Sequence, residues 1–240
     1  MTKLRSAALT DIGRVRSENE DSFIHEPAAM IFGIADGVGG LPGGAEASLE
    51  SVEVIVSELK ALPPGTAPDL TRIVHRANQA VIDLGREISP VMGIGSTLTF
   101  ACVNDHAFHF AHVGDSRAYL LRGGTIVNVT EDHSVENEAR IRRARGEVVH
   151  YHESNRAALT RCIGQPTPPD VDLITRPLVA GDRYLFCTDG VTRMVTDREL
   201  GDLLNRPDEP AKIAHEIVHL AVRRGGPDNA TAVVVFVDEP

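Results

Sequence analysis

The chain has 240 residues, of which 42% are hydrophobic, and its formal net charge at pH 7 is −10. This length can bury a sizeable core, and neither a linker nor an internal repeat interrupts the patterned segments, so one domain over residues 1–240 is expected. The acidic balance disfavours nucleic-acid binding and docking on anionic membranes, because both depend on clustered lysine and arginine.

The N-terminal third combines one buried strand with two helices. The apolar run at residues 31–35 predicts the strand. Apolar residues at spacings of three and four then form one-sided stripes over residues 45–59 and 70–88, which predict two amphipathic helices. Asp69 stands directly before the second stripe and is a good N-cap residue.

Short strands dominate the rest of the chain. Strand-like runs lie at residues 97–103, 107–112, 118–121, 126–129, 184–188 and 232–236. Gly123 and Gly124 supply a hairpin turn, while Thr196 and Glu199 form a capping box before a short helix, which a last helical stripe at 213–220 follows. The first four strands follow one another too closely for parallel connections. We therefore predict an α+β domain in which two sheets pack face to face, with helices outside.

Three aspartates stand at the ends of predicted strands. Asp36 and Asp189 each follow an apolar run and precede a glycine, and Asp228 lies just before the last run. Carboxylates at the mouths of buried strands repel one another and lose hydration, so they stay ionised together only with a cation among them. Oxygen ligands favour Mg²⁺ or Mn²⁺. Taken alone, an Asp-Gly pair is an ordinary turn signal.

Further polar residues accompany the three aspartates. Arg16 brings a guanidinium that matches phosphate geometry close to Glu20 and Asp21, and Asp115 lies between two predicted strands. Glycines within residues 39–44 allow the backbone to approach an ion or ligand closely. These neighbouring residues strengthen the interpretation of the three aspartates as a metal site.

A series of motifs also carries a family resemblance. The motifs are Thr10-Asp11-Ile12-Gly13-Arg14-Val15-Arg16, Asn19-Glu20-Asp21, Ala35-Asp36-Gly37-Val38-Gly39-Gly40, Gly95-Ser96-Thr97, Val113-Gly114-Asp115-Ser116-Arg117, Thr130-Glu131-Asp132-His133-Ser134, Leu185-Phe186-Cys187-Thr188-Asp189-Gly190 and Gly226-Pro227-Asp228-Asn229-Ala230-Thr231. The sequence resembles the metal-dependent serine/threonine protein phosphatases of the PP2C type, in their bacterial form. The motifs occur in the order found in that family and cover nearly the whole chain.

The resemblance implies a central antiparallel β-sandwich flanked by α-helices on both sides, with a binuclear Mn²⁺ or Mg²⁺ site at one end. Carried over by motif, Asp36 would bridge the two ions and the Gly37 carbonyl would ligate one of them. Asp189 and Asp228 would complete the other. A hydroxide bridging the two ions would attack phosphorus in line with the departing oxygen.

The resemblance also implies roles around the two ions. Glu20 would act through a bound water, and Asp21 would support that shell. Asp115 matches the position associated with a weaker third ion. Arg16 would grip the phosphate bidentately and neutralise charge as the transition state forms.

Two positions depart from the family pattern. Val38 stands where many eukaryotic members carry a histidine proposed as general acid, so no residue is assigned to that role. Arg193 stands where many members carry another acid. A cation there would either repel a third ion or pair with Asp115 and replace that ion, and both alternatives remain open.

Two further clusters have simpler interpretations. Residues 135–161 match the variable flap region of the family, and their predicted helix carries four arginines that either complement the helix dipole as a solvated face or attract acidic and phosphorylated substrates. His106, His109 and His112 cannot share one ion, because His109 points to the other side of its strand. We expect these histidines to be structural or exposed.

We therefore expect a bacterial-type hydrolase that removes phosphate from phosphoserine and phosphothreonine in proteins. Its expected partners are phosphorylated proteins and a cognate protein kinase in a signalling pathway, without nucleic acid or membrane, and we expect a monomer. Three cysteines without metal-ligand spacing indicate a reducing cytoplasm. The alternative is a catalytically silent phosphoprotein-binding scaffold on the same fold. A two-metal nuclease is disfavoured by the acidic balance and the 4% aromatic content.

Overall fold

Two five-stranded antiparallel sheets form the centre of the molecule. The structure is a computed structural model and describes residues 2–63 and 65–240, so the predicted domain over 1–240 includes Met1 and Pro64, which lie outside the described residues. The strands are β1 (Lys3–Asp11), β2 (Asp21–Glu26), β3 (Ile31–Asp36), β4 (Leu98–Asn104), β5 (Ala107–Val113), β6 (Arg117–Arg122), β7 (Thr125–Asn128), β8 (Asp172–Pro177), β9 (Arg183–Cys187) and β10 (Ala230–Glu239). One sheet has the order β1-β10-β9-β6-β7 and the other β2-β3-β4-β5-β8.

Helices cover the outer face of each sheet. Their bounds are α1 (Gly44–Lys60), α2 (Leu70–Ile88), α3 (Val135–Ala144), α4 (Asp189–Thr192), α5 (Asp197–Leu204) and α6 (Pro210–Arg223). The pair α1 and α2 packs on the sheet that contains β3, while α4, α5 and α6 pack on the sheet that contains β10. The helix α3 lies in the connection between β7 and β8.

The buried side chains form three layers of core. One layer lies between the helices α1 and α2 and the sheet that contains β3. Another lies between the helices α4, α5 and α6 and the sheet that contains β10. The third fills the space between the two sheets and contains Phe32, Phe108, Phe110, Tyr184 and Phe186. This arrangement is the four-layer αββα sandwich that the sequence predicts, and central strands such as β3 and β10 are buried on both faces.

The predicted elements are confirmed with small shifts at their ends. The β6–β7 hairpin turns at Gly123 and Gly124, whose φ angles are 57° and 80°, a conformation that glycine adopts without strain. Asp69 caps α2 by accepting a hydrogen bond from the Arg72 N–H at 3.0 Å. The consecutive strands β4 to β7 are antiparallel where they pair.

Three strands have no clear signal in the sequence. They are β1, β2 and β8, each of which has an edge position in its sheet and carries mainly partly exposed or exposed residues. Such strands lack a continuous apolar run because only part of their surface faces the core. Within the described part of the chain, no helix has the length and apolar character needed to cross a bilayer.

Candidate metal centre

The three predicted aspartates line one cavity of about 380 Å³. Asp36 is the last residue of β3, Asp189 is the first residue of α4 directly after β9, and Asp228 lies two residues before β10. Because β3 belongs to one sheet and β9 and β10 to the other, the cavity opens where the ends of the two sheets meet. Arg16 and Asp115 line the same cavity. Residues far apart in the sequence are therefore brought to one site.

Close backbone packing positions Asp36. The Asp36 N–H donates to Thr97 Oγ1 at 2.9 Å, and that oxygen lies 2.8 Å from Ser116 Oγ. The next residue, Gly37, packs directly against the backbone of Gly44 at the start of α1, where a Cβ would overlap it. A side chain at position 37 would push α1 away from the end of β3. Glycine is therefore required where the chain leaves the strand beside the cavity.

A second glycine joins the loops that carry the other two aspartates. Gly190, directly after Asp189, packs against the carbonyl of Asn229, and a Cβ there would overlap the carbonyl oxygen. Asn229 directly follows Asp228. The contact therefore holds the start of α4 against the loop before β10 and sets the separation of the two carboxylates.

The loop that carries Arg16 is anchored by the side chain of Asn229. Its Nδ2 donates to the carbonyl oxygens of Ile12 and Glu18, each at 2.9 Å, and its Oδ1 accepts from the Glu20 N–H at 2.9 Å. One buried amide thus satisfies three backbone groups of this loop.

The guanidinium of Arg16 lies between two acids at the edge of the cavity. Its Nε is 2.9 Å from Asp228 Oδ1, and its Nη1 is 3.2 Å from Glu20 Oε2. Glu20 is held close to the cavity through this pair. Burial is the main cause that raises the pKa of Glu20, and the charge of Arg16 opposes it.

Arg193 contacts two of the predicted metal-binding aspartates. Its Nη2 lies 2.5 Å from Asp189 Oδ2, and its Nη1 lies 3.4 Å from Asp228 Oδ2. The alternative in which Arg193 pairs with Asp115 is wrong, because the guanidinium makes its ion pairs with these two other carboxylates. Burial raises the pKa of Asp115, and Arg193 acts on it only as a nearby positive charge that partly offsets this rise.

The carboxyl groups of the cavity are strongly desolvated. Burial raises the pKa of Asp115 to about 7 and that of Asp189 to about 6, and it raises the pKa of Asp36 well above its usual range. The neighbouring carboxylates add to the shift of Asp36. Without further positive charge, these groups cannot all stay ionised at neutral pH.

Asp21 lies behind this group and opposite Asp36 in the β2–β3 pair. Its Oδ2 accepts hydrogen bonds from Thr188 Oγ1 at 2.9 Å and Thr231 Oγ1 at 2.6 Å. Burial raises its pKa to about 7, while these two hydroxyl groups lower it. Asp21 does not line the cavity. This position behind the other carboxylates agrees with the expectation that it supports the shell around the ions.

The donor set is suitable for hard divalent cations. Asp189 Oδ1 and Asp21 Oδ1 are buried carboxylate oxygens without a hydrogen-bond partner, and a cation would satisfy such atoms. In residues 2–63 and 65–240, no three histidine, cysteine, aspartate or glutamate side chains are placed so that they could bind one metal ion together. Arg16 and Arg193 pair with the carboxylates instead. The residue types therefore fit a metal, and two of the carboxylates already pair with arginines.

The connection after α3 forms one wall of the cavity. Ala157, Ala158 and Leu159 line it, and backbone hydrogen bonds join this stretch to the start of α3, including Val135 N–H to the Ala158 oxygen at 3.0 Å. Val38 also lines the cavity. Its apolar side chain offers no proton donor at that position.

The arginines of the flap helix are engaged locally. Arg140 pairs with Glu131 and Arg142 with Glu147, while Arg143 donates to the Val149 oxygen at 2.7 Å. These contacts agree with the interpretation of a solvated helix face. Attraction of acidic or phosphorylated substrates stays a prediction.

The three histidines considered for a metal site have separate environments. His112 is fully buried and lies 2.8 Å from Thr99 Oγ1, whereas His109 contacts the Asn104 oxygen at 3.1 Å. His106 lies in the tight turn between β4 and β5 with a φ of 57°. His112 is buried and hydrogen-bonded and His106 is exposed, in agreement with the expectation that these histidines are structural or exposed.

Several functional neighbours escaped the sequence reasoning. Thr97, Ser116, Thr188, Asn229 and Thr231 lie within the quoted motifs, but their hydrogen bonds to Asp36, Asp21 and the Arg16 loop depend on three-dimensional neighbours. Ser116, Thr188 and Asn229 stand directly beside an aspartate in the chain, which was the available signal, whereas Thr97 and Thr231 do not.

Comparison with known proteins agrees with this geometry. The family model for protein phosphatase 2C matches residues 8–230. Serine/threonine protein phosphatase PstP of Mycobacterium tuberculosis is 35% identical, and the match covers 98% of this chain and 45% of that protein. The chain thus spans about half the length of that curated relative. Protein phosphatase PhpP of Streptococcus pneumoniae is 30% identical, and the match covers 96% of each chain.

A solved structure shows the same architecture with metal bound. The crystal structure of the catalytic domain of PstP in complex with two manganese ions is 33% identical in sequence to this chain. It aligns with a TM-score of 0.85 over 100% of both chains.

Proposed function

Because the chain belongs to the protein phosphatase 2C family, we propose that it is a metal-dependent phosphatase that hydrolyses phosphoserine and phosphothreonine in proteins. The observation that carries this proposal is the lining of the cavity that opens where the ends of the two sheets meet. It places the Arg16 guanidinium beside Asp36, Asp189 and Asp228. A phosphate-binding cation next to an oxygen-rich metal centre is suited to phosphoester hydrolysis.

The proposed ligands of two Mn²⁺ or Mg²⁺ ions are Asp36, Asp189, Asp228 and the Gly37 carbonyl. When bound, such ions supply water of lowered pKa and neutralise phosphate charge. Glu20 would contribute through a water, with Asp21 in support. The binding of a third ion by Asp115 stays a prediction.

The protein's own groups would bind and enclose the phosphate. The guanidinium of Arg16 offers a planar set of donors that matches two phosphate oxygens, and Glu20 and Asp228 orient it from two sides. Ala157, Ala158 and Leu159 form one wall of the cavity and would limit the access of water on that side. Because Val38 has no proton to give, the departing oxygen receives its proton from another source.

The wider setting belongs to the same proposal. We propose that the 240 residues form one domain, that the protein is a monomer in a bacterial cytoplasm, and that it opposes a protein kinase on shared substrates. The free state of Cys102, Cys162 and Cys187 is consistent with a reducing compartment. The named relatives PstP and PhpP are protein phosphatases, which supports phosphoproteins as the substrate class.

The test is hydrolysis of a phosphothreonine peptide with Mn²⁺ and then with excess chelator. We expect activity that the chelator abolishes, and we expect Asp36→Asn to reduce kcat by about a hundredfold or more because it removes a charged ligand. The matched control is Asp83→Asn, an exposed acid on α2 that pairs with Arg86 and should leave kcat unchanged.

Two outcomes would contradict the proposal in different ways. Activity that survives chelation would exclude the metal mechanism. A protein that binds phosphopeptide without hydrolysing it under any metal condition would support the scaffold alternative.

A further inference from the structure

The inference concerns Arg193, whose guanidinium stands between two proposed metal ligands. It lies 2.5 Å from Asp189 Oδ2 and 3.4 Å from Asp228 Oδ2, so one side chain bridges two carboxylates that come from different loops. The pair with Asp189 spans four residues of α4 and its C-cap, which places the two side chains on the same side of that helical turn.

The negative charge of the cavity makes the ion pair between Arg193 and Asp189 important. Four carboxylates and two arginines line the cavity, so its side chains are net negative when all are ionised. Arg16 already pairs with Asp228 and Glu20 at one side. Arg193 is the arginine whose side chain pairs directly with Asp189.

The contact is also able to open. The Arg193 side chain is 46% exposed, whereas that of Asp189 is 15% exposed. The arginine can swing toward solvent on its long stem, but the carboxylate stays in the cavity, where Asp189 Oδ1 still lacks a partner. A cation that binds Asp189 would therefore compete with Arg193 for the charge of the same carboxylate.

We propose that Arg193 is an internal counter-ion that holds the metal-free centre together and competes with a divalent ion for Asp189 and Asp228. The inference rests on the proposed metal centre. Loss of the arginine charge would increase the repulsion among the carboxylates in the metal-free protein, and it would leave them free for metal. Metal-free stability and metal affinity should therefore change in opposite directions.

The experiment compares wild type with Arg193→Gln in the full chain, using thermal unfolding without metal and calorimetric titration with Mn²⁺. We expect a lower midpoint of unfolding in chelator. We also expect the Kd of the weaker of the two Mn²⁺ sites to be about two- to fivefold smaller, as the loss of one partly exposed ion pair predicts. Arg193→Lys keeps the charge but cannot bridge both carboxylates. Its Kd for Mn²⁺ should therefore lie between that of wild type and that of Arg193→Gln.

The matched control is Arg86→Gln, which removes an exposed arginine and its ion pair with Asp83 far from the cavity and should change neither quantity appreciably. If both Arg193 variants bind Mn²⁺ as wild type does, or more weakly, competition by Arg193 is overturned. If wild type itself binds no Mn²⁺, the proposed metal centre is overturned as well. The two failures are distinguished by the wild-type titration alone.

Discussion

The acids of the candidate centre differ in what each side chain contacts. Asp21 is held by two threonine hydroxyls and lies outside the cavity lining, whereas Asp189 lines the cavity and pairs with Arg193. Each of the two carboxylates keeps one oxygen without a hydrogen-bond partner. These contacts support the proposed roles, in which Asp21 supports the centre and Asp189 binds an ion. Residue identity alone does not separate the two, because both are aspartates beside buried strands.

A buried histidine near the centre predicts a dependence of stability on pH. His112 lies between Thr99 and the Glu131 carbonyl, 4.6 Å from the ring of His133, and burial lowers its pKa to about 4. The unfolded histidine therefore takes up a proton between about pH 6.5 and pH 4, and the folded one does not. This lowers the free energy of unfolding as pH falls, by about 2 kcal/mol between pH 7 and pH 5.

The measurement is urea unfolding at pH 7 and pH 5 for wild type and His112→Gln. Glutamine retains an N–H donor and does not titrate, so the variant should lose about 2 kcal/mol less than wild type over this interval. Equal pH dependence in the two proteins would show that His112 does not supply this effect.

Local sequence signals determine where most elements begin and end. The Asp69 cap, the Gly123-Gly124 hairpin and the capping box of Thr196 and Glu199 all occur as the sequence predicts. These signals are strong because each depends on atoms only a few residues apart. By contrast, α4 is a single turn that the sequence does not reveal.

The capping box gives a direct test at the level of one helix. Thr196 Oγ1 accepts from the Glu199 N–H at 3.4 Å, and Glu199 Oε2 accepts from the Thr196 N–H at 3.1 Å. We expect Thr196→Ala to lower the free energy of unfolding by about 1 kcal/mol, measured by chemical denaturation. Thr196→Ser retains the hydroxyl and should lie close to wild type, so equal losses in the two variants would contradict the role of the cap.

At the scale of the whole molecule, the centre joins the two sheets. Asp36 is supplied by one sheet, and Asp189 and Asp228 follow or precede strands of the other. Cations bound among these residues would oppose separation of the sandwich at that end. Metal binding is therefore expected to stabilise the entire domain.

Thermal unfolding with and without Mn²⁺ measures this coupling. At a free Mn²⁺ concentration one hundred times the Kd, each site adds about 2.7 kcal/mol to the free energy of unfolding, and excess chelator removes the gain. Potassium chloride at matched ionic strength controls for charge screening. An equal effect of the two salts would contradict specific binding.

The sequence by itself determined the αββα architecture and the main helices and strands, and it singled out the four aspartates and Arg16 that the structure brings into one cavity. It could do so because hydrophobic periodicity and turn chemistry are local, and because the ordered motifs cover nearly the whole chain. The edge strands β1, β2 and β8 were missed, since they bury too little surface to leave an apolar pattern.

Only the tertiary structure decided which charges meet. Arg193 is four residues from Asp189, but its second contact is with Asp228, which reaches it from a loop 35 residues further along the chain. Asn229 likewise fixes the Arg16 loop across more than 200 residues of sequence. Such pairings depend on how the two sheets are brought together, because a charge acts through its distance in space and not through its position in the chain.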